Sequence, residues 1–129
     1  MSRSAQLTAH RAAASALWEL LRVDGPYREA WKQVARKEHL SAANGKVNVE
    51  AVRRLVLDRL WERGEFDSDP RSHENWQRRP WKDRIYGVAN GRRLSIGTLE
   101  AFILAFGVSD DEAEPLRALH AGDGLPSPD

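Results

Sequence analysis

The chain has 129 residues, which is enough for one domain with a hydrophobic core and too few for two domains of ordinary size. Its composition, 41% hydrophobic and 30% charged, excludes a disordered chain, and no apolar run reaches the roughly 20 residues that cross a bilayer, so no membrane partner is expected. Because there is no cysteine, disulfides, thiolate zinc sites and thiol nucleophiles are excluded, and we expect a cytoplasmic protein.

The charge is sorted along the chain, although the formal net charge is only +1. Residues 71–93 carry seven basic and two acidic side chains, whereas residues 94–129 carry one basic and seven acidic side chains. Arginine outnumbers lysine by 16 to 4, a bias that a GC-rich coding sequence produces by itself. The basic block is therefore open to two interpretations: an ordinary solvated face, or a surface that attracts a phosphate backbone by releasing its counterions.

Apolar residues at helical spacing predict three helices in the first half of the chain. The first lies near residues 8–22, the second runs from Pro26 to about His39, and the third opens with Asn48 as its N-cap and ends at Gly64. The tryptophans on these helices are expected in the core, because they lie on the apolar stripes. The stripes consist of Ala14, Leu17, Trp18 and Leu21, of Tyr27, Ala30, Trp31, Val34 and Ala35, and of Val49, Val52, Leu55, Val56, Leu60 and Trp61.

The stretch between the third helix and Pro80 loses apolar periodicity and holds at most one short helix, around residues 71–78. Beyond Pro80 a further helix is predicted. Trp81, Ile85 and Val88 fall there at i, i+4 and i+7, so that they can pack inward together.

Serine residues predict the starts of the last two helices. Ser95 can cap a helix that stops at a glycine. Ser109 and Glu112 have the spacing of a capping box. Pro115 should interrupt the helix that they open, so the last element is expected to be short or to restart near Glu114.

No segment shows the alternation of a strand and none repeats at a fixed period, so the predicted fold class is all-α, with about five to seven helices. We predict an N-terminal helical extension, 1–46, packed on a main domain, 47–121, and a disordered tail, 122–129. Trp76 and Trp81 are assigned to the core rather than to base stacking, because tryptophans beside a short helix are more often buried. The predicted core consists of Leu17, Trp18, Leu21, Trp31, Val52, Leu55, Val56, Leu60, Ile85, Val88, Leu99, Phe102, Ile103 and Phe106.

Residues 85–108, IYGVANGRRLSIGTLEAFILAFGV, resemble the second half of a helix-turn-helix of the Cro and lambda-repressor type, also called the xenobiotic-response-element family. Ile85 and Val88 match the two inward aliphatic residues of that family's recognition helix, and residues 90–93 match the turn after it. Residues 98–108 match the supporting helix, and SDDEAEPLRAL is similar to a fifth helix that often follows. Upstream, where the family has a compact helix with a glutamine and a Leu-Ala pair, this chain has SDPRSHENWQRRP.

The resemblance implies a DNA-binding helix-turn-helix whose recognition helix follows Pro80. In a major groove arginine can pair with guanine and asparagine with adenine, whereas cations at the ends of the helix are better placed to bind phosphates. Asp83 would repel phosphate unless it accepts from a cytosine amino group or pairs with Arg79 or Arg84. The predicted base readers are Lys82, Arg84, Tyr86 and Asn90, and the predicted phosphate contacts are Arg78, Arg79, Arg92 and Arg93.

From these residues we expect a sequence-specific protein that binds double-stranded DNA and regulates transcription. A homodimer is expected, because one short helix reads too few bases and half-sites are commonly paired by symmetry. Two alternatives stay open. The helix-turn-helix could be degenerate, which would leave the first three helices as a protein-interaction adaptor, and the same basic face could bind RNA.

An enzyme is not expected, and neither is a metal or a cofactor. The histidines have no i, i+3 or i, i+4 partner among themselves, so neither a zinc-binding helix nor a nucleophile and base is indicated. Asp67 and Asp69 lack the further ligands of a calcium loop, and the scattered glycines form no phosphate loop. The histidines are His10, His39, His73 and His120.

Overall fold

The computed structural model of the protein describes residues 3–40, 46–64 and 78–122, and within these ranges the chain forms α-helices and no β-strand. The all-α prediction is confirmed. None of the described helices combines the length and the apolar character that a bilayer crossing requires. The helices are α1 (Arg3–Arg22), α2 (Pro26–Lys37), α3 (Val49–Glu62), α4 (Arg78–Ala89), α5 (Ile96–Phe106) and α6 (Asp110–His120).

The ends of α2 and α3 follow from local sequence. α2 begins at Pro26, as predicted, and ends slightly early, because His39 adopts a left-handed backbone conformation with φ 58°. Asn48 caps α3 as predicted: its side-chain oxygen accepts a hydrogen bond from Ala51 N at 3.0 Å. This bond satisfies one of the backbone amides that the start of a helix leaves unpaired.

α4 begins before Pro80 rather than with it. The short helix predicted around residues 71–78 lies outside the described residues except for Arg78, the first residue of α4, and Trp76 lies outside them as well. Pro80 occupies the first turn of α4, where N–H groups have no intrahelical acceptor. Its missing amide proton therefore costs no hydrogen bond of the helix.

The predicted serines cap α5 and α6. Ser95 Oγ accepts from Thr98 N at 3.2 Å, and Ser109 Oγ accepts from Glu112 N at 3.3 Å. Gly107 ends α5 in a left-handed conformation with φ 63°, which a residue without a Cβ atom adopts at no steric cost.

The predicted interruption at Pro115 is wrong, because α6 continues through the proline to His120. A proline inside a helix removes one backbone hydrogen bond and crowds the carbonyl group four residues earlier. Ala113 and Leu116, on either side of the proline, are buried in the core. Their packing holds α6 together across the position where the hydrogen bond is missing.

A tyrosine of α2 completes the start of α6. In a capping box the acidic side chain accepts a hydrogen bond from the backbone N–H of the cap residue. Here Ser109 N donates instead to the hydroxyl oxygen of Tyr27 at 3.2 Å, and that hydroxyl donates to Glu112 Oε1 at 2.8 Å. The predicted capping box is thus extended through Tyr27, which ties α2 to α6.

One hydrophobic core joins the six helices of the described ranges. α1 packs against α2, α4 and α6, while α3 packs against α2, α4 and α5, so that α4 rests on both α1 and α3. Trp31 is buried in α2 and donates its Nε1–H to Leu21 O at 2.7 Å. The predicted division into 1–46 and 47–121 stays a prediction, and the tail from residue 123 onward lies outside the described residues.

The predicted core is buried except at Trp18 and Ile103, which are partly buried and pack against it. The prediction that Trp61 lies in the core is wrong, because this side chain is 40% exposed. Leu57 and Leu60 are buried, and they direct the end of α3 towards the core. Residue 61 lies about 100° farther round the helix than residue 60 and therefore faces outward.

Candidate nucleic-acid interface

The inner face of α4 is apolar and buried. Trp81, Ile85 and Val88 lie at helical spacing and belong to the core, as that spacing predicts. α1 and α3 support this face. Because the inner face is held by packing on two helices, the opposite face of α4 is presented to solvent in one orientation.

Three polar side chains, the outer row, follow one another at intervals of four residues along the exposed face of α4 and onto the first residue after it. They are Lys82, Tyr86 and Asn90, and all three are exposed. Asp83 is exposed beside them. The outer row therefore presents an ammonium group, a phenol and an amide over about 12 Å of helix length.

Arg84, which the sequence assigns to the base readers, lies on the flank of α4 and not in the outer row. Its guanidinium carbon is 5.0 Å from the centroid of the Trp81 ring, within the range of a cation–π interaction. The ring holds the guanidinium close to the body of the protein, so Arg84 and the outer row face different directions.

Arg93 crosses α4 at Gly87. A Cβ atom at position 87 would lie 2.9 Å from both Cγ and Nε of Arg93, so the glycine leaves the space that the arginine occupies. The turn after α4 brings the arginine there: Gly91 has φ 63°, and its N–H donates to Val88 O at 2.9 Å. Arg92 N donates to Gly87 O, also at 2.9 Å, which completes a Schellman motif. The sequence predicts the turn but not that the Arg93 side chain lies against Gly87, a position that we call the seat of Arg93.

A hollow of about 400 Å³, the α4–α5 hollow, lies between α4 and the start of α5. Arg84 and Arg93 line it, together with one acidic residue, Asp83. The first turn of α5 carries partial positive charge, because its backbone N–H groups have no intrahelical acceptor. Positive charge therefore prevails around the hollow, and such surroundings suit an anion. The lining residues are Asp83, Arg84, Arg93, Leu94, Ser95 and Thr98.

Four cations on and after α4 lack the carboxylate partners that many other arginines of the described chain have. Lys82, Arg84, Arg92 and Arg93 form no ion pair with any carboxylate in the described ranges. Uncompensated positive charge on a surface is what an anionic partner neutralises. Arginines that do pair with a described carboxylate are Arg22, Arg28, Arg36, Arg53, Arg54, Arg59 and Arg117.

The remaining predicted phosphate contacts lie at the two ends of α4. Arg78 and Arg79 belong to its first turn, and their side chains are outside the described part of the chain. Arg92 is exposed in the turn that follows the helix. We refer to residues 90–95 as the α4–α5 turn.

Two histidines that are far apart in the sequence lie in contact beside the α4–α5 turn. The rings of His10 in α1 and His120 in α6 are stacked, with centroids 4.1 Å apart and an interplanar angle of 11°. His120 Nε2 lies 2.7 Å from Leu94 O, so this nitrogen carries the proton that it donates to the carbonyl group. Burial and the neighbouring His120 lower the pKa of His10. No spacing rule could have found this pair, because the partners lie near opposite ends of the described chain.

In the described residues, no group of three or more histidine, aspartate or glutamate side chains is arranged to hold a metal ion. Comparison of the chain with models of known protein families, with curated proteins and with solved structures found no match. The resemblance to proteins of the Cro and lambda-repressor type therefore stays a prediction from the sequence, which depends on residues 85–108 and on the following segment SDDEAEPLRAL.

Proposed function

We propose that this protein binds double-stranded DNA in a sequence-specific manner and regulates transcription, with α4 as its recognition helix. One observation carries the proposal: Lys82, Arg84, Arg92 and Arg93 pair with no carboxylate in the described ranges, and the outer face of α4 beside them is exposed. Binding of such a surface to a phosphate backbone is favourable, because the cations of the protein replace condensed counterions, which are released.

The placement of the side chains supports a division of labour between base recognition and phosphate binding. The outer row can enter a major groove, where asparagine forms two hydrogen bonds with adenine and lysine donates to guanine. Arg92 and Arg93 lie in the turn beside that row, where phosphates border a groove. Arg84 joins this phosphate-binding set in the proposal, because the Trp81 ring holds its guanidinium away from the outer row.

The α4–α5 hollow is the proposed position of one backbone phosphate. Arg84 and Arg93 line the hollow, and α5 begins there. A helix start and two guanidinium groups are complementary to a phosphate in charge and in hydrogen bonding. Asp83, which belongs to the same lining, offsets part of the positive charge and so weakens the attraction of the hollow for a phosphate.

Selection of bound duplexes from a random DNA pool, followed by salt titration of the enriched sequence, tests the proposal. We expect a preferred sequence, and we expect log affinity to fall with log salt at a slope of about −0.9 for each phosphate contacted. A symmetric sequence would support the homodimer, since paired half-sites mirror a two-fold axis. Equal enrichment of all sequences, or RNA that competes better than duplex DNA at equal salt, would contradict the proposal.

A protein adaptor is the second candidate, and one observation favours it. Between α2 and α3 lies a groove of about 250 Å³ lined by both apolar and charged residues, and Trp61 is exposed at the end of α3. Exposed tryptophan is enriched where proteins bind one another. Absence of duplex binding even at low salt would favour the adaptor over the DNA-binding protein. The groove is lined by Ala30, Gln33, Val34, Lys37, Leu55, Asp58, Arg59 and Glu62.

A further inference from the structure

We propose that α1 belongs to the DNA-contact surface and that Arg11 binds a backbone phosphate next to those bound by Arg92 and Arg93. This inference rests on the proposed function. It extends the contact surface to a helix that lies far from the helix-turn-helix segment in sequence.

Two observations place α1 beside the α4–α5 turn. His10 stacks on His120, whose Nε2 lies 2.7 Å from Leu94 O in that turn. Ser15 approaches the other end of the turn, because a Cβ atom at Gly91 would lie 3.5 Å from Ser15 Oγ, an ordinary van der Waals distance. α1 therefore runs alongside the turn over the stretch from His10 to Ser15.

Arg11 lies between His10 and Ser15 on the surface of α1. Round an α-helix it is rotated by about 100° from His10 and by about 40° from Ser15, and successive residues rise by about 1.5 Å. Its side chain is exposed. The arginine therefore projects into solvent from the side of α1 that adjoins the α4–α5 turn.

Three exposed arginines consequently surround one turn without a described acidic partner. Arg11, Arg92 and Arg93 pair with no carboxylate in the part of the chain that the structure describes, whereas Arg22, farther along α1, pairs with Glu19. Like charges that lie close together repel, and a polyanion that crosses all of them relieves this repulsion while it releases its counterions. A DNA backbone is such a polyanion. With α4 in the groove, the adjoining strand continues across the turn to α1.

The test measures the affinity of four variants for two duplexes, the selected sequence and an unrelated one. Arg11→Ala should weaken both complexes by about five- to tenfold at 0.1 M salt and should make the salt slope less steep by about 0.9. Arg11→Lys should keep the slope, because it keeps the charge. Arg92→Ala should resemble Arg11→Ala. Arg22→Ala is the matched control on the same helix and should change neither quantity, because its guanidinium is already paired with Glu19.

The outcomes separate this inference from the proposed function. Unchanged binding of Arg11→Ala, together with weakened binding of Arg92→Ala, overturns the role of Arg11 and leaves the proposed function standing. A loss confined to the selected duplex also overturns it, because a phosphate contact carries no sequence information. If the unaltered chain binds neither duplex at any salt concentration, the proposed function itself fails. Circular dichroism controls for folding, and Arg11→Gln replaces Arg11→Ala if the alanine variant loses helix content.

Discussion

The surfaces of α2–α3 and of α4 both contain many cations, but their carboxylates are distributed differently. On α2 and α3, Arg36 Nη2 lies 2.6 Å from Glu29 Oε1, and Arg54 Nη1 lies 3.1 Å from Glu38 Oε2. Lys82, Arg84, Arg92 and Arg93, the exposed cations around α4 whose side chains the structure describes, have no described carboxylate partner. In a protein rich in arginine, the number of arginines therefore indicates little about binding. The position of the carboxylates indicates which arginines are available to another molecule.

Arg53 is the most buried of the paired arginines on α2 and α3. It is only 4% exposed, and its guanidinium forms an ion pair with Glu50 one helical turn away. Burial opposes the ionisation of Glu50, but hydrogen bonds and charge from Arg53 and Arg54 hold the pKa of its carboxyl group below the usual value. The charges of this network are paired within the protein, so its arginines stabilise the fold.

Removal of the carboxylate that pairs with Arg53 should have the largest effect, and this effect is on stability. Glu50→Gln leaves the buried guanidinium of Arg53 without its counter-charge, and we expect the free energy of unfolding to fall by about 2–4 kcal/mol. Urea unfolding measures this change. The matched control is Glu62→Gln, which removes the partner of an exposed arginine and should cost less than about 1 kcal/mol. Similar small losses in both variants would contradict a structural role for the Arg53 network.

A change in the outer row should alter specificity and leave stability unchanged. Asn90→Ala removes an amide that can form two hydrogen bonds with adenine, so discrimination against the wrong base should fall by about 1–3 kcal/mol at one position of the selected duplex. Competition between duplexes that differ at single base pairs measures this discrimination. Equal weakening of every duplex would instead make Asn90 a phosphate contact.

Gly87→Ala tests the seat of Arg93 on α4. A Cβ atom would lie 2.9 Å from two atoms of Arg93, so this flexible side chain must move while the helix backbone stays in place. Duplex affinity should fall by at most the roughly eightfold loss of one phosphate contact at 0.1 M salt. Stability should stay unchanged or rise by up to about 1 kcal/mol, because alanine is the better helix former.

A double variant gives the control for position 87. Gly87→Ala combined with Arg93→Ala should bind DNA no more weakly than Arg93→Ala alone, because both changes act on one side chain. Additive losses would mean that the new methyl group disturbs α4 itself.

Acidification should have the smallest effect, through the histidine pair. Because burial and His120 lower the pKa of His10 from its ordinary 6.5, the unfolded chain takes up a proton more readily than the native protein does. The stability linked to His10 is therefore complete above pH 6.5 and decreases as the pH falls below that value. His10→Gln should make the free energy of unfolding less dependent on pH between about 7 and 5.5. Urea titrations of both proteins at these two pH values measure this, and an unchanged pH dependence would contradict it.

The features that followed from sequence are local ones. The caps by Asn48 and Ser95 act over three residues, and the inner face of α4 is set by the period of one helix. The position of Trp61 outside the core, the flank position of Arg84 and the seat of Arg93 depend on how helices and turns lie against one another. Apolar spacing does not contain that information. The residues of the candidate site could therefore be listed from the sequence. The different directions in which their side chains face could not.

The stack of His10 on His120 also has a consequence for how the protein folds. It joins the first and last described helices, so its formation closes almost the whole chain into a loop, whereas the contacts of α2 with α3 are close in sequence. Contacts between distant residues are entropically costly to form and come late when nearby ones can form first. The α4–α5 turn, which His120 supports through Leu94 O, gains that support only when α6 has packed beside it. A chain still under synthesis that lacks α6 therefore contains the arginines of the α4–α5 turn, but the turn is not yet held in its final position.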